Sequence, residues 1–62
     1  MMTYEETVKY LAENYVGIQE YKRCKAYSTF MNELRSQMGM AAIIYKKSFA
    51  EVERDVFDAA LN

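Results

Sequence analysis

A chain of 62 residues with 52% hydrophobic and 15% aromatic side chains, no proline and two glycines is too apolar for a disordered segment and holds at most one domain, 1–62. One cysteine and no histidine exclude an intrachain disulfide and a Cys/His zinc cluster, and a formal net charge of −1 gives no general attraction to nucleic acid or anionic lipid. Domains this small usually lean on disulfides, metals or self-association, so the composition points to oligomerisation or to folding on a partner.

There is no charged-then-apolar leader and no run of about 18 apolar residues, which predicts a soluble protein with no membrane span. The lone thiol suits a reducing compartment, and the expected location is the cytoplasm.

The first predicted helix covers 4–16. Thr3 is placed to cap it, while Glu6, three positions on, reaches back to the Thr3 amide. Glu5 and Glu6 also suit the positive end of the helix dipole. Tyr4, Val8, Leu11, Tyr15 and Ile18 follow at steps of 4, 3, 4 and 3, one face of an amphipathic helix. Asn14 and Gly17 are residue types that tolerate a left-handed cap, so a turn or kink is predicted around Gly17.

A second helix, from about 18–20 to 46, opens the longest apolar row: Cys24, Tyr27, Met31, Leu34, Met38, Ala41 and Tyr45. The row continues in phase through Phe49, Val52, Val56 and Ala59. It centres about 150° from the first row, so the two cannot face one neighbour along a straight helix. Gly39 costs about 1 kcal/mol relative to alanine and is one candidate break. Ser48-Phe49-Ala50-Glu51 is a second capping box and a second candidate, with a third helix from 49 to near 61. Met40, Ile43 and Ile44 fall on the back of the long row, where the first helix is expected to pack.

The predicted fold is all-α, with two to three helices: a short N-terminal helix and a long amphipathic helix broken near 39 or 48. The first helix spans about 20 Å and the long row over ~50 Å if straight, too much for one short helix to cover. The expected remedy is a homodimer or higher helical bundle, packed through Tyr27, Met31, Leu34, Met38, Tyr45, Phe49, Val52 and Val56. Folding at Gly39 into a three-helix unit is the monomeric alternative.

Catalytic constellations have little to work with. Without histidine, Ser–His and Cys–His nucleophile pairs are impossible. Cys24 sits among Lys22, Arg23 and Lys25, which would favour a thiolate, but its place at the head of the row reads as packing. Glu51, Glu53, Asp55 and Asp58 point in different directions on a helix, and no calcium loop or phosphate-cradling glycine motif is present. No catalytic residue, metal site or cofactor is expected, and the chain is not expected to be an enzyme.

Tyrosine is the unusual component, six in all. Tyr10 and Tyr21 fall outside both apolar rows, and tyrosine is enriched in interface cores. Together with Lys22, Arg23, Lys25, Lys46 and Lys47 they are the candidate partner contacts. The expected function is a small non-enzymatic interaction module that self-associates and regulates or inhibits a larger macromolecular partner, a protein in the first instance, by occlusion. The alternative is a nucleic-acid-binding regulator using the Lys22/Arg23/Lys25 and Lys46/Lys47 clusters. The negative net charge and acidic C-terminal segment weigh against it. Membrane attachment would need a lysine-rich polar face, and the polar face here is mixed. Capped helical chains of this size are common among small bacterial and phage regulators, which speaks to class and not to function.

Overall fold

Thr3 begins the first helix as its spacing to Glu6 predicts. Its Oγ1 accepts from the Glu6 amide at 3.2 Å, and Glu6 Oε1 accepts from the Thr3 amide at 2.8 Å. The bond from the Thr3 amide, with the Thr3 side chain beside it, holds the Glu6 carboxyl below its ordinary range. In the computed structural model, which describes all residues 1–62, this helix (α1) runs Tyr4–Gln19. Two more follow, α2 at Ala26–Tyr45 and α3 at Phe49–Leu61, and the molecule has no strand.

The first turn is not at Gly17, which is helical within α1. The chain turns at Glu20–Lys25 instead, tightened by short-range bonds. The Tyr21 amide donates to the Ile18 carbonyl at 2.9 Å, and the Cys24 amide to the Tyr21 carbonyl at 2.9 Å. Carrying α1 to Gln19 keeps Ile18 against the core, whereas a continued helix would stack Lys22 and Lys25 one turn apart as like charges. The Tyr21 and Phe30 rings close the turn edge to face, centroids 5.3 Å apart. The long helix therefore starts at Ala26 rather than near 18–20. Cys24, expected to open the buried row, is exposed in the turn.

Gly39 does not break α2; the break falls at 46–48. Lys46 is left-handed, with φ 56° and ψ 48°. Its amide donates to the Ile43 carbonyl at 3.4 Å and that of Lys47 to Ala42 at 2.9 Å, a Schellman ending. Ser48 then caps α3, its Oγ accepting from the Glu51 amide at 3.1 Å. Glu51 turns its carboxylate to Lys47 Nζ, 3.3 Å away. The same ammonium stands 4.5 Å above the Tyr4 ring.

That break lets the long row fold on itself. Met31, Leu34, Met38, Ala41 and Ala42 of α2 meet Val8, Leu11 and Ala12 of α1 and Val52 and Val56 of α3 in one core. Leu34 and Met38 are 1% exposed, and Val52 and Val56 are 0%. The assignment of the row to an oligomer interface is thereby corrected. Met31, Leu34, Met38, Val52 and Val56 are buried within one chain, Tyr27 and Tyr45 sit half-buried at the core's edge, and Phe49 is exposed at the start of α3. The length mismatch disappears because α1 and α3 share the covering. The helix-packing expectation is also reversed: α1 lies on the main row, and Met40, Ile43 and Ile44 on the back stay exposed. No helix is long and apolar enough to cross a membrane.

Polar contacts pin the edge where all three helices meet. The Tyr4 hydroxyl donates to Asp55 Oδ2 at 2.6 Å, and the Tyr4 ring meets Tyr45 edge to face at 5.4 Å. The Tyr45 hydroxyl donates to the Met2 carbonyl at 2.6 Å and lies 2.9 Å from Thr7 Oγ1. Burial, then the bond to Asp55, pushes the Tyr4 phenol upward. The Tyr4 hydroxyl in turn holds the Asp55 carboxyl below its ordinary value of 3.8.

Core packing with the helix break, and then the polar edge, can each be tested by unfolding. Leu34→Ala is expected to cost about 2–5 kcal/mol, and Lys46→Gly to add about 1 kcal/mol by relieving the left-handed backbone, both read by urea unfolding. The polar edge is tested by acid. Asp55 ionises more readily folded than unfolded, so its contribution is complete above about pH 3.8 and is lost as pH falls through the lower folded value. Tyr4→Phe should therefore lower the unfolding midpoint at neutral pH, with the gap to wild type closing in strong acid. A gap that persists there would assign the loss to packing.

Candidate docking surface

Helix α3 packs on one side of the α1–α2 pair and leaves the other side open. On that side α1 presents Tyr10, Asn14, Gly17 and Tyr21 at steps of 4, 3 and 4, continuing into the turn. The facing row of α2 is Phe30, Glu33, Gln37, Met40 and Ile44, at steps of 3, 4, 3 and 4. Both are ridges at helical spacing beside the core-facing rows, and a groove lies between them.

The groove has two chemically different halves, which share Gln37. Toward the α1 N-terminus its floor is Leu11 and Ala41 and its walls are Tyr10, Met40 and Ile44, with Met1 and Met2 at the mouth. No charged side chain lines this half. Toward the α1–α2 turn the floor is Ile18 and Leu34, flanked by Tyr21 and Phe30, and the charges along it are Glu13, Glu20 and Glu33. None of the three takes part in either ion pair of the molecule. Residues of α3 line neither half.

Exposure decides which apolar groups are surplus to folding. Tyr10 is 52% exposed, Met40 63% and Ile44 51%, and Ile43 alongside is 79%. These side chains gain little from burial within the chain, although the core beneath them is complete. Gly17 adds a second peculiarity. It costs helix α1 about 1 kcal/mol relative to alanine. Its φ is negative and a Cβ there would meet nothing within 4 Å, so neither backbone conformation nor internal packing calls for glycine. What lies beside Gly17 is the groove.

Of the sequence-predicted contacts, Tyr10 and Tyr21 do share this face. Lys22, Arg23 and Lys25 are exposed together in the turn at its end. Lys46 and Lys47 lie beyond the other end of α2, about 30 Å away along a helix of 20 residues, so the five cations form no single patch. Lys47 is moreover engaged by Glu51 and Tyr4. Sequence reasoning missed Phe30, Glu13, Glu33 and Gly17 as groove residues, and placed Met40 and Ile44 under α1. Their own 3–4 spacing was the available signal.

The class of molecule these features define is a three-helix domain with one two-helix face left uncovered. Compared with known proteins, the chain matches no family model, no curated protein and no solved structure.

Because this face is outside the core, Met40→Ser and Ile44→Ser are expected to change unfolding free energy by no more than about 0.5 kcal/mol each. Gly17→Ala and Gly39→Ala, both with open space at Cβ, should each add up to about 1 kcal/mol. Thermal unfolding of the four variants checks both statements, and a loss for either serine variant comparable to Leu34→Ala would mean that the face is structural.

Proposed function

We propose that this chain is a small non-enzymatic interaction module that binds a larger protein through the open α1–α2 face and regulates or inhibits it by covering part of its surface. The observation that supports this most is the surplus of exposed apolar side chains, Tyr10, Met40, Ile43 and Ile44, on a chain whose core is already closed. A monomeric domain gains nothing from such a surface, whereas aromatic and methionine side chains supply contact area and adaptability at an interface. Self-association draws on the same face, since the long apolar row is consumed internally. A cytoplasmic setting fits the exposed thiol of Cys24.

The nucleic-acid reading rests on the turn cations alone. Lys22, Arg23 and Lys25 are clustered, but the groove they border carries carboxylates, which repel phosphate. Affinity capture from lysate of the native host, with and without nuclease, separates the two. The expected result is a stoichiometric protein that survives nuclease, is lost with Met40→Ser/Ile44→Ser, and changes little with Lys22→Glu/Lys25→Glu. A truncation at the interface centre such as Tyr10→Ala should weaken binding by at least about tenfold if that ring is an anchor. Capture that collapses with nuclease or with the lysine reversals, and is indifferent to the serine variants, overturns the proposal.

A further inference from the structure

Building on that reading, we propose that the occupant of the α1–α2 groove is a cationic amphipathic helix of a partner protein. Shape is the first argument. The two pockets between α1 and α2 adjoin at Gln37, and α1, at 16 residues, is about 24 Å long, room for a docked helix of about four turns. An apolar stripe on that helix would sit on Leu11, Ala41 and Leu34 between the Tyr10 and Ile44 walls.

Charge is the second argument. The charged side chains lining the channel are Glu13, Glu20 and Glu33, all of one sign and none neutralised within the chain. Lysines or arginines flanking the partner's apolar stripe complement them, and an acidic helix is repelled. Lys22, Arg23 and Lys25 stand past Tyr21 at the channel's end rather than along its walls. They would disfavour further positive charge on that end of the occupant, so its lysines or arginines belong alongside Glu13 and Glu33. A helix docked with its carbonyl terminus at the turn would suit them best.

Gly17 is the third argument, because of the two glycines with open space at Cβ it is the one in the channel lining. Glycine at an exposed helical position with no internal reason for it leaves the backbone of α1 bare at mid-channel, which lets a second helix approach closely. Any side chain there would hold the two axes apart.

The probe is a fluorescent peptide of about four turns with leucines on one face and lysines on the other, compared with a twin carrying glutamate for every lysine. Binding to the whole chain is read by anisotropy at low and high salt. The lysine peptide should bind at least about tenfold more tightly than its twin at low salt, with the difference shrinking as salt rises. Glu13→Lys/Glu33→Lys should abolish that preference, while Glu53→Lys on α3 leaves it intact. Gly17→Leu should weaken binding with the helix content of the protein retained, and Gly39→Leu should not.

Equal binding of the twins, or equal loss with Glu53→Lys, overturns the cationic assignment. If in that case Ile44→Ser still weakens both peptides, the docking face itself stands. If neither peptide binds, or neither responds to Ile44→Ser, the inference and the docking reading fall together.

Discussion

The left-handed step at Lys46, with Ser48 capping the helix that follows, turns α3 back along α2, and the rest of the structure depends on that reversal. An apolar row that would otherwise run over ~50 Å is cut into two lengths that both pack on α1 and meet each other along a smaller seam. Val52 and Val56 reach complete burial because the reversal brings them onto Leu34 and Met38 with α1 alongside. A small domain without a disulfide or metal thus closes its core by bringing both lengths of one amphipathic stripe onto α1. Its margin is thin, since chains near this length bury only about 60% of their unfolded surface.

Polar contacts serve the same closure. Tyr4 touches both later helices, through its hydroxyl to Asp55 and its ring to Tyr45, and Lys47 covers that ring while holding Glu51. Each group is only partly withdrawn from water, so the set acts less by the strength of any one bond than by fixing the angle at which α3 returns. The two lysines once read as one basic cluster part company here: Lys46 supplies a backbone conformation, and Lys47 supplies a charge to the core's edge.

Closing the core with three helices leaves a face that the third does not reach. Two helices side by side always have two open sides, and α3 fills one. On the other, exposed tyrosine, methionine and isoleucine occur beside an unpaired set of glutamates and an unexplained glycine. Burial within the chain accounts for none of these choices, and they are the features on which the proposed docking of a helix rests. The basic turn and the acidic groove are adjacent yet separate, which gives the face a direction as well as a sign.

Local signals were legible in the sequence because they act over three or four residues. The Thr3–Glu6 box, the amphipathic rows and the Ser48 cap were all visible as spacings, and so the all-α fold followed from them, while Ser48 stood beside Gly39 as one of two candidate breaks. Propensity misled at both glycines: Gly17 and Gly39 lie inside helices because the packing of Ile18, Met38 and Ala41 outweighs about 1 kcal/mol of helix cost. Which neighbour covers a row is a different kind of question. Leu34 and Val56 show the same periodicity whether they face another chain or their own, and only the reversal at Lys46 made them core. The same reversal moved α1 onto the main row and left Met40 and Ile44 to solvent. Tyr10 and Tyr21 were recognisable as outliers from the sequence. That they stand opposite Ile44 and Phe30 across one groove was decided by tertiary structure alone, because periodicity sets the face of a helix and not the partner it meets.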